Sequence, residues 1–219
     1  MDDASFRKAF DVLWRRFRVT NWAEGADPFE VLVSIVVSQN STDLVTERVM
    51  RDLAAVIPVR PREIAAAKPS LLIAKLRPAG LSRQKVPRIQ ALAREIEERF
   101  GGDAMQILRQ ADPRSTLIAL PGIGPKTADV WLSLVAGRDT MPVDTHIARL
   151  TRRWRLVRRA NYEDTTAKLK SLIPPGRRAR GHLVLIQFGR EICQARRPRC
   201  EVCPVYDLCD ATVKRPRGA

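Results

Sequence analysis

One short segment, residues 120–128 with the sequence LPGIGPKTA, most constrains how this 219-residue chain can fold. Apolar residues precede and follow it at helical spacing, so it connects two helices. The prolines and glycines at its centre cannot continue a helix, and Gly122 and Gly124 permit a positive φ and a close approach of another backbone. Pro125 suits the first position of the second helix. The segment therefore predicts a helix-hairpin-helix.

The hairpin is suited to binding a phosphate, because a helix N-terminus carries free N–H groups and positive dipole charge. We expect Gly122, Ile123 and Gly124 to contact it. Lys126 follows in the first helical turn, where the dipole disfavours a protonated amine, and an unprotonated lysine is a nucleophile. Asp144 precedes the next apolar-periodic run. From the residues alone, Lys126 could equally be a solvated phosphate contact and Asp144 only a helix cap.

The charge balance points to a polyanionic partner. The formal net charge is +15, with 20 basic and 16 acidic side chains in residues 1–137 and 19 and 8 in residues 138–219. No apolar run approaches the ~20 residues of a membrane-spanning helix, and the N-terminus lacks a signal-peptide pattern. We therefore expect a cytoplasmic monomer without membrane contact, associated with the nucleoid if the source is prokaryotic.

Hydrophobic periodicity predicts an all-α chain, since no segment alternates as strands do. A run that is apolar nearly all round, from residue 29 to 37, indicates a central helix. Prolines and glycines divide the remaining segments. Outside the hairpin, the predicted helices cover residues 4–18, 29–37, 43–53, 61–67, 69–77, 84–100, 104–110, 163–173 and 180–192.

Two loops carry further candidate site residues. Gln39 and Asn40 are uncharged amides directly after the central apolar helix, which a capping role alone does not explain. The loop from Pro78 to Lys85 has an apolar tip at Leu81 and basic flanks. It is either an ordinary helix connection or a wedge, in which Leu81 enters a duplex while Arg83 and Lys85 hold phosphates.

A strongly basic segment follows Asp144, and we predict that it forms a helix. It contains six arginines and no acidic residue, which favours an anion opposite them. These arginines are Arg149, Arg152, Arg153, Arg155, Arg158 and Arg159.

All four cysteines lie near the C-terminal end of the sequence with the spacing C-x6-C-x2-C-x5-C. They are Cys193, Cys200, Cys203 and Cys209. Four thiolates on one short loop suit a [4Fe–4S] cluster, although tetrahedral zinc stays open from spacing alone. Arg196, Arg197 and Arg199 lie between the first two cysteines, on a loop pinned at both ends that can present guanidinium groups to phosphates.

Three motifs in this order, LPGIGPKTA, VDTHIARL and the cysteine spacing, resemble the endonuclease III branch of the helix-hairpin-helix DNA glycosylases. The resemblance extends from about residue 28 to Cys209. It implies an all-α fold of two domains: a six-helix barrel over residues 23–136 and an iron–sulfur domain built from residues 1–22 and 137–219. It also implies a [4Fe–4S] cluster on the four cysteines and DNA in the cleft between the domains.

The resemblance also implies a reaction and residue roles. Lys126 matches the nucleophilic lysine, Asp144 the catalytic aspartate, Gln39 the residue that fills the gap left by a flipped base, and Leu81 the residue wedged into the opposite strand. The implied activity is a bifunctional DNA glycosylase and abasic-site lyase. Such an enzyme removes oxidised pyrimidines from double-stranded DNA and cleaves the strand by β-elimination through a lysine Schiff base.

Further DNA contacts are expected from Asn40, Ser82, His146 and Arg149. The sequence departs from the family pattern at Asn40, where many bacterial members have a small apolar residue, and at Pro125, which replaces a common basic residue. A uracil or thymine mismatch glycosylase is the alternative enzyme. A non-catalytic module that binds damaged DNA is the alternative outside catalysis.

Overall fold

The computed structural model describes residues 1–157 and 161–214, and within these it contains eleven α-helices and no strand. The all-α prediction is confirmed, and the predicted α-helices outside the hairpin agree with the observed ones to within two residues at each end, except for the basic helix after Asp144. Residues 104–109 form a 3₁₀ helix. The α-helices are α1 (Asp3–Arg16), α2 (Pro28–Ser38), α3 (Asp43–Ala54), α4 (Pro61–Ala66), α5 (Pro69–Leu76), α6 (Ser82–Phe100), α7 (Pro113–Ile118), α8 (Pro125–Leu134), α9 (Thr145–Arg153), α10 (Tyr162–Leu172) and α11 (Arg178–Glu191).

Short polar residues begin several of these helices by capping their free N–H groups. At α2, the Asp27 Oδ1 atom accepts hydrogen bonds from the N–H groups of Phe29 and Glu30 at 2.9 and 3.0 Å, and Pro28 occupies the first helical position. Other helices are capped in the same way by Asp112, Asp144 and Asn161. These caps are visible in the sequence, which explains why the predicted boundaries are close.

Residues 23–136 form one compact unit, here called the hairpin unit, with α2 to α8. α2 packs against α3, α6 and α8, and it buries seven of its eleven side chains. The Trp131 indole N–H of α8 donates to the Pro28 carbonyl at 2.8 Å. Seven α-helices form this unit where the resemblance implies six, and two of them, α4 and α7, have only six residues each.

Residues 1–22 and 137–219 form a second compact unit, here called the terminal unit. Aromatic side chains fill its core. Trp154 stacks on Phe188 with ring centroids 5.9 Å apart, and Phe6 meets Trp154 edge-on at the same distance. The amino group of Met1 donates to the Trp154 carbonyl at 3.0 Å. The first helix and the helices after residue 137 therefore share one core.

The predicted basic helix is shorter than expected. α9 ends at Arg153, and Arg155 has a left-handed φ of 54°, so it lies beyond the helix. Arg158 and Arg159 lie outside the described residues. None of the described helices combines the length and apolar composition needed to cross a bilayer.

One ion pair ties α7 to α8 on the two sides of the hairpin. Arg114 meets Asp129 in a bidentate contact, with Nε to Oδ1 at 2.8 Å and Nη2 to Oδ2 at 3.1 Å. Asp129 is buried, whereas Arg114 is partly exposed. A buried carboxylate requires such a partner, so this pair fixes the helices that present the hairpin.

We expect Asp129→Asn to lower the free energy of unfolding by about 2 kcal/mol, because it removes the charge from a buried paired site. Asp52→Asn, in the exposed Arg48–Asp52 pair, serves as control and should cost less than about 0.5 kcal/mol. Urea denaturation followed by circular dichroism measures both. Equal losses in the two variants would contradict this account.

Candidate active site and metal centre

The hairpin turn between α7 and α8 is tightly built. The Ile123 N–H donates to the Leu120 carbonyl at 3.1 Å, and Gly122 has a φ of 80°. A Cβ atom on Gly122 would make only an ordinary contact, 3.4 Å from the Arg88 Cβ, so it is the positive φ that favours glycine here. Gly124 occupies the N-cap position of α8 but has no side chain, and within the described residues no side chain bonds to the free N–H groups that follow. These groups can bind an anion.

The structure limits how Ile123 can make the DNA contact that we expect of it. The side chain is 5% exposed, and its N–H is already used in the turn. Neither of these two groups is available to DNA, and a contact through Ile123 stays a prediction. The other two predicted contacts of the hairpin, Gly122 and Gly124, are partly exposed.

Lys126 is the second residue of α8 and is exposed, while Thr127 and Ala128 after it are buried. Within the described residues its amino group makes no hydrogen bond or ion pair. Its position beside the uncapped helix start leaves the amine available to a bound substrate.

Gln39 lies next to the hairpin within the same unit. It ends α2, and its side-chain amide donates to the Gly122 carbonyl at 3.3 Å. Asn40 follows in the left-handed region with φ 56°, which asparagine tolerates better than most residues, and its side chain is exposed. The structure thus brings the predicted amide pair and the predicted phosphate site together.

The predicted wedge loop projects an apolar side chain. Leu81 immediately precedes α6, is 46% exposed and has a left-handed φ of 52°. Gly80 before it also has a positive φ, of 71°. Ser82 is half-buried at the first helical position, and Arg83 is exposed. An exposed apolar side chain of this kind is the type of group that proteins insert between base steps, so the wedge stays a prediction.

Lys85 does not hold a phosphate, contrary to our prediction. Its side chain is 2% exposed, and its amino group donates to the carbonyls of Val37 at 2.7 Å and Ala79 at 2.8 Å. The amine is directed into the hairpin unit, because two backbone carbonyls there need donors.

Asp144 caps α9 in the terminal unit. Its Oδ1 atom accepts the Ile147 N–H at 2.8 Å, and within the described residues Oδ2 accepts no hydrogen bond. The segment before it is held by His182, which is buried and donates from Nδ1 to the Pro142 carbonyl at 3.0 Å. Sequence reasoning missed His182, since a lone histidine on an apolar helix carries no signal of its partner. One oxygen of Asp144 therefore remains for a second role.

His146 and Arg149 pack α9 onto α11. Arg149 donates to the carbonyls of Gly189 at 2.7 Å and Cys193 at 3.1 Å, and its Nη2 lies 3.1 Å from the His146 Nδ1. Burial lowers the pKa of His146. Their contacts with DNA stay predictions, although Arg149 directs Nε and Nη2 to carbonyls of the protein.

The four cysteines line one cavity, together with Arg153, Trp154 and Phe188. Burial raises the pKa of the Cys203 thiol to about 11 and also raises that of Cys193, so thiolates here require positive charge. Within the described ranges, no three His, Cys, Asp or Glu side chains are grouped so as to hold a metal ion. The thiols instead border a space, which fits a [4Fe–4S] cluster with one thiolate on each iron.

Arg153 braces the cysteine loop, a role that sequence reasoning missed. Its guanidinium donates to the Cys193 Sγ at 3.0 Å and to the carbonyls of Cys193, Gln194 and Ala195 at 3.1, 2.8 and 2.8 Å. We had grouped Arg153 with arginines facing an anion, because a charge run does not show which members turn inward. The remaining predicted contacts on the loop, Arg196, Arg197 and Arg199, are exposed.

Comparisons with known proteins agree with this geometry. Residues 33–175 match the family described as HhH-GPD superfamily base excision DNA repair protein, and residues 193–209 match the iron-sulfur binding domain of endonuclease III. The chain belongs to the endonuclease III family. Endonuclease III of Thermotoga maritima is 35% identical over 88% of this chain and 87% of its own length, and that of Bacillus subtilis is 33% identical over 88% and 85%.

A solved structure of a trapped endonuclease III–DNA covalent intermediate superposes with a TM-score of 0.86 at 29% identity, over 96% of each chain. The predicted family, its fold and its [4Fe–4S] cluster are thereby confirmed, as is the activity of a DNA glycosylase and abasic-site lyase of base excision repair. DNA is the partner.

We expect Cys203→Ser to remove most of the bound iron and the visible iron–sulfur absorbance, and to lower the melting temperature, because ligand binding contributes folding free energy. Val202→Ser, at the exposed neighbouring position, serves as control. Iron analysis, absorbance and thermal unfolding measure the outcome. Full iron content in Cys203→Ser would show that this thiol is not a ligand.

Proposed function

We propose that this protein removes oxidised pyrimidines from double-stranded DNA and then cleaves the strand at the abasic site, with Lys126 as the nucleophile. The observation that carries the proposal is the exposed amine of Lys126 beside the uncapped start of α8. A site that binds phosphate and offers an unpaired amine next to it is suited to attack on a sugar.

The hairpin unit would bind and open the duplex. A base inside the stack cannot be reached, so the damaged nucleotide must rotate out, which costs less when a lesion has weakened its pairing. Backbone N–H groups at the start of α8 would hold a phosphate. Leu81 would separate bases, and Gln39 would occupy the gap, with Asn40 beside it. The side-chain amides of Gln39 and Asn40 would favour hydrogen bonds to DNA in this gap.

The first chemical step would be attack by the Lys126 amine on the sugar C1′. The new N–C1′ bond forms as the bond from C1′ to the base breaks, and the base leaves with its electron pair and takes up a proton. Positive charge develops on the sugar. Asp144 would stabilise this charge or relay the proton, through the carboxylate oxygen that does not cap α9.

Strand cleavage would follow from the same covalent bond. Ring opening gives an imine between Lys126 and the sugar, and loss of a C2′ proton then expels the 3′ phosphate by β-elimination. Hydrolysis of the imine releases the product and restores the amine.

The cluster, when bound, supplies cross-linking of residues 193–209, which holds the basic loop in place. We also propose a cytoplasmic, nucleoid-associated location, where such DNA would be met in a bacterium.

We expect borohydride to trap the wild-type protein on duplexes that contain thymine glycol or an abasic site, and Lys126→Ala to abolish trapping, because the imine requires this amine. Lys68→Ala, an exposed lysine of the same unit, should trap as wild type does. Gel electrophoresis of the covalent complex measures the result. Uracil release opposite guanine without any trapped complex would instead indicate a mismatch glycosylase and refute this role of Lys126.

Asp144→Asn separates the catalytic role of this residue from its capping role. Asparagine caps a helix as well as aspartate, so the free energy of unfolding should change by less than about 0.5 kcal/mol. Loss of the charge should slow base release about 100-fold. Single-turnover kinetics and urea denaturation measure the two quantities. An unchanged rate would leave Asp144 as a cap only, and a binding module without catalysis would tolerate both this change and Lys126→Ala.

A further inference from the structure

We propose that Lys85 is a positioning residue: its buried side chain fixes the strained Gly80–Leu81 loop to the end of α2, and so sets where Leu81 stands for insertion into DNA. This inference rests on the proposed function, because it assumes that Leu81 enters a duplex. It assigns to Lys85 a role different from the phosphate contact expected from the sequence.

Lys85 holds the loop on both sides of Leu81. Its amino group donates to the Ala79 carbonyl at 2.8 Å, two residues before Leu81. Its backbone N–H donates to the Leu81 carbonyl itself at 2.9 Å. Gly80 and Leu81 are therefore enclosed between two hydrogen bonds to a single residue.

The loop needs such a restraint, because its conformation is not favoured by the residues themselves. Leu81 has a φ of 52°, in a region that leucine rarely adopts, and it follows Gly80 with a φ of 71°. The Leu81 side chain is 46% exposed, so packing in the core holds it only in part. Hydrogen bonds to the loop backbone must therefore hold this conformation where side-chain packing does not.

The other end of the brace lies on a rigid element. The Lys85 amine donates to the Val37 carbonyl at 2.7 Å, in the last turn of α2, where helix carbonyls lack partners and a cation is favourable. Burial lowers the pKa of Lys85, as expected for an amine enclosed by backbone. Gln39 lies two residues beyond Val37 and contacts Gly122. Lys85 thus sets the position of Leu81 relative to Gln39, within one unit.

Gln90 provides a matched comparison on the same helix. It is also buried, and its side-chain amide donates to the carbonyls of Ile64, Ala65 and Ala67 at 3.3, 3.4 and 2.9 Å, at the end of α4. No predicted DNA contact lies there. Loss of either side chain removes a buried brace, but only loss of Lys85 should affect the wedge.

The experiment compares an abasic site in a single strand with the same site in a duplex, by the rate of borohydride trapping. A single strand needs no wedge, whereas a duplex does. The variants are Lys85→Met, which keeps the length of the side chain but removes its donors, Gln90→Met, and Leu81→Ala. Lys85→Gln, which retains a shorter donor, replaces Lys85→Met if that variant does not fold.

We expect Lys85→Met to trap the single strand at the wild-type rate and the duplex about tenfold more slowly, since small misplacement of a positioning element has effects of this order. Leu81→Ala should show the same selectivity, and the double variant should lose no more than either single one. Gln90→Met should change both substrates equally or not at all. Equal loss on both substrates in Lys85→Met, or no loss, would overturn the proposal.

Failure of the proposed function is distinguishable, because the wild type would then trap neither substrate. The role of Lys85 is in that case measured on a duplex that carries 2-aminopurine opposite a tetrahydrofuran abasic analogue. The fluorescence of 2-aminopurine rises when a wedge unstacks this base. Lys85→Met and Leu81→Ala should both reduce this rise, and Gln90→Met should not. A rise of wild-type size in Lys85→Met would refute the positioning role.

Discussion

Burial of α2 is the constraint on which the rest of the hairpin unit depends. The helix is apolar nearly all round, so it has one place in the core, and its neighbours α3, α6 and α8 pack around it. Its last carbonyls still need donors, and Lys85 supplies one at Val37. Gln39 then leaves the helix end toward the hairpin. The loops that face DNA in the proposed function are therefore located by one helix terminus.

The positions of the helices and the types of residue at the candidate site could be predicted from the sequence, because hydrophobic periodicity and helix caps are local patterns. The direction of a side chain could not. Lys85 and Arg83 look alike at the start of α6, yet Lys85 donates to the Val37 carbonyl, 48 residues away in sequence, whereas Arg83 is exposed to solvent. For the same reason, the motif does not show that the Ile123 side chain enters the core.

In the terminal unit, the sequence likewise does not show which charged side chains face solvent and which face the protein. A run of arginines on and after α9 reads as a surface for an anion, but Arg149 and Arg153 direct their donors to carbonyls around the cysteine loop. Guanidinium groups satisfy several backbone acceptors at once, which lets a loop with little regular structure be held firmly. The four cysteines line one cavity, as their local spacing leads one to expect.

The left-handed backbone of Leu81 places stability and activity in opposition at one position. Glycine there would relieve the strain, and the folded protein would gain stability from it. In the proposed function, the same change would remove the side chain at the loop tip that separates the bases. Selection for stability alone would therefore favour a substitution at Leu81 that impairs repair. In a variant with a raised melting temperature that was obtained without selection for activity, residue 81 is the first position to check for a change.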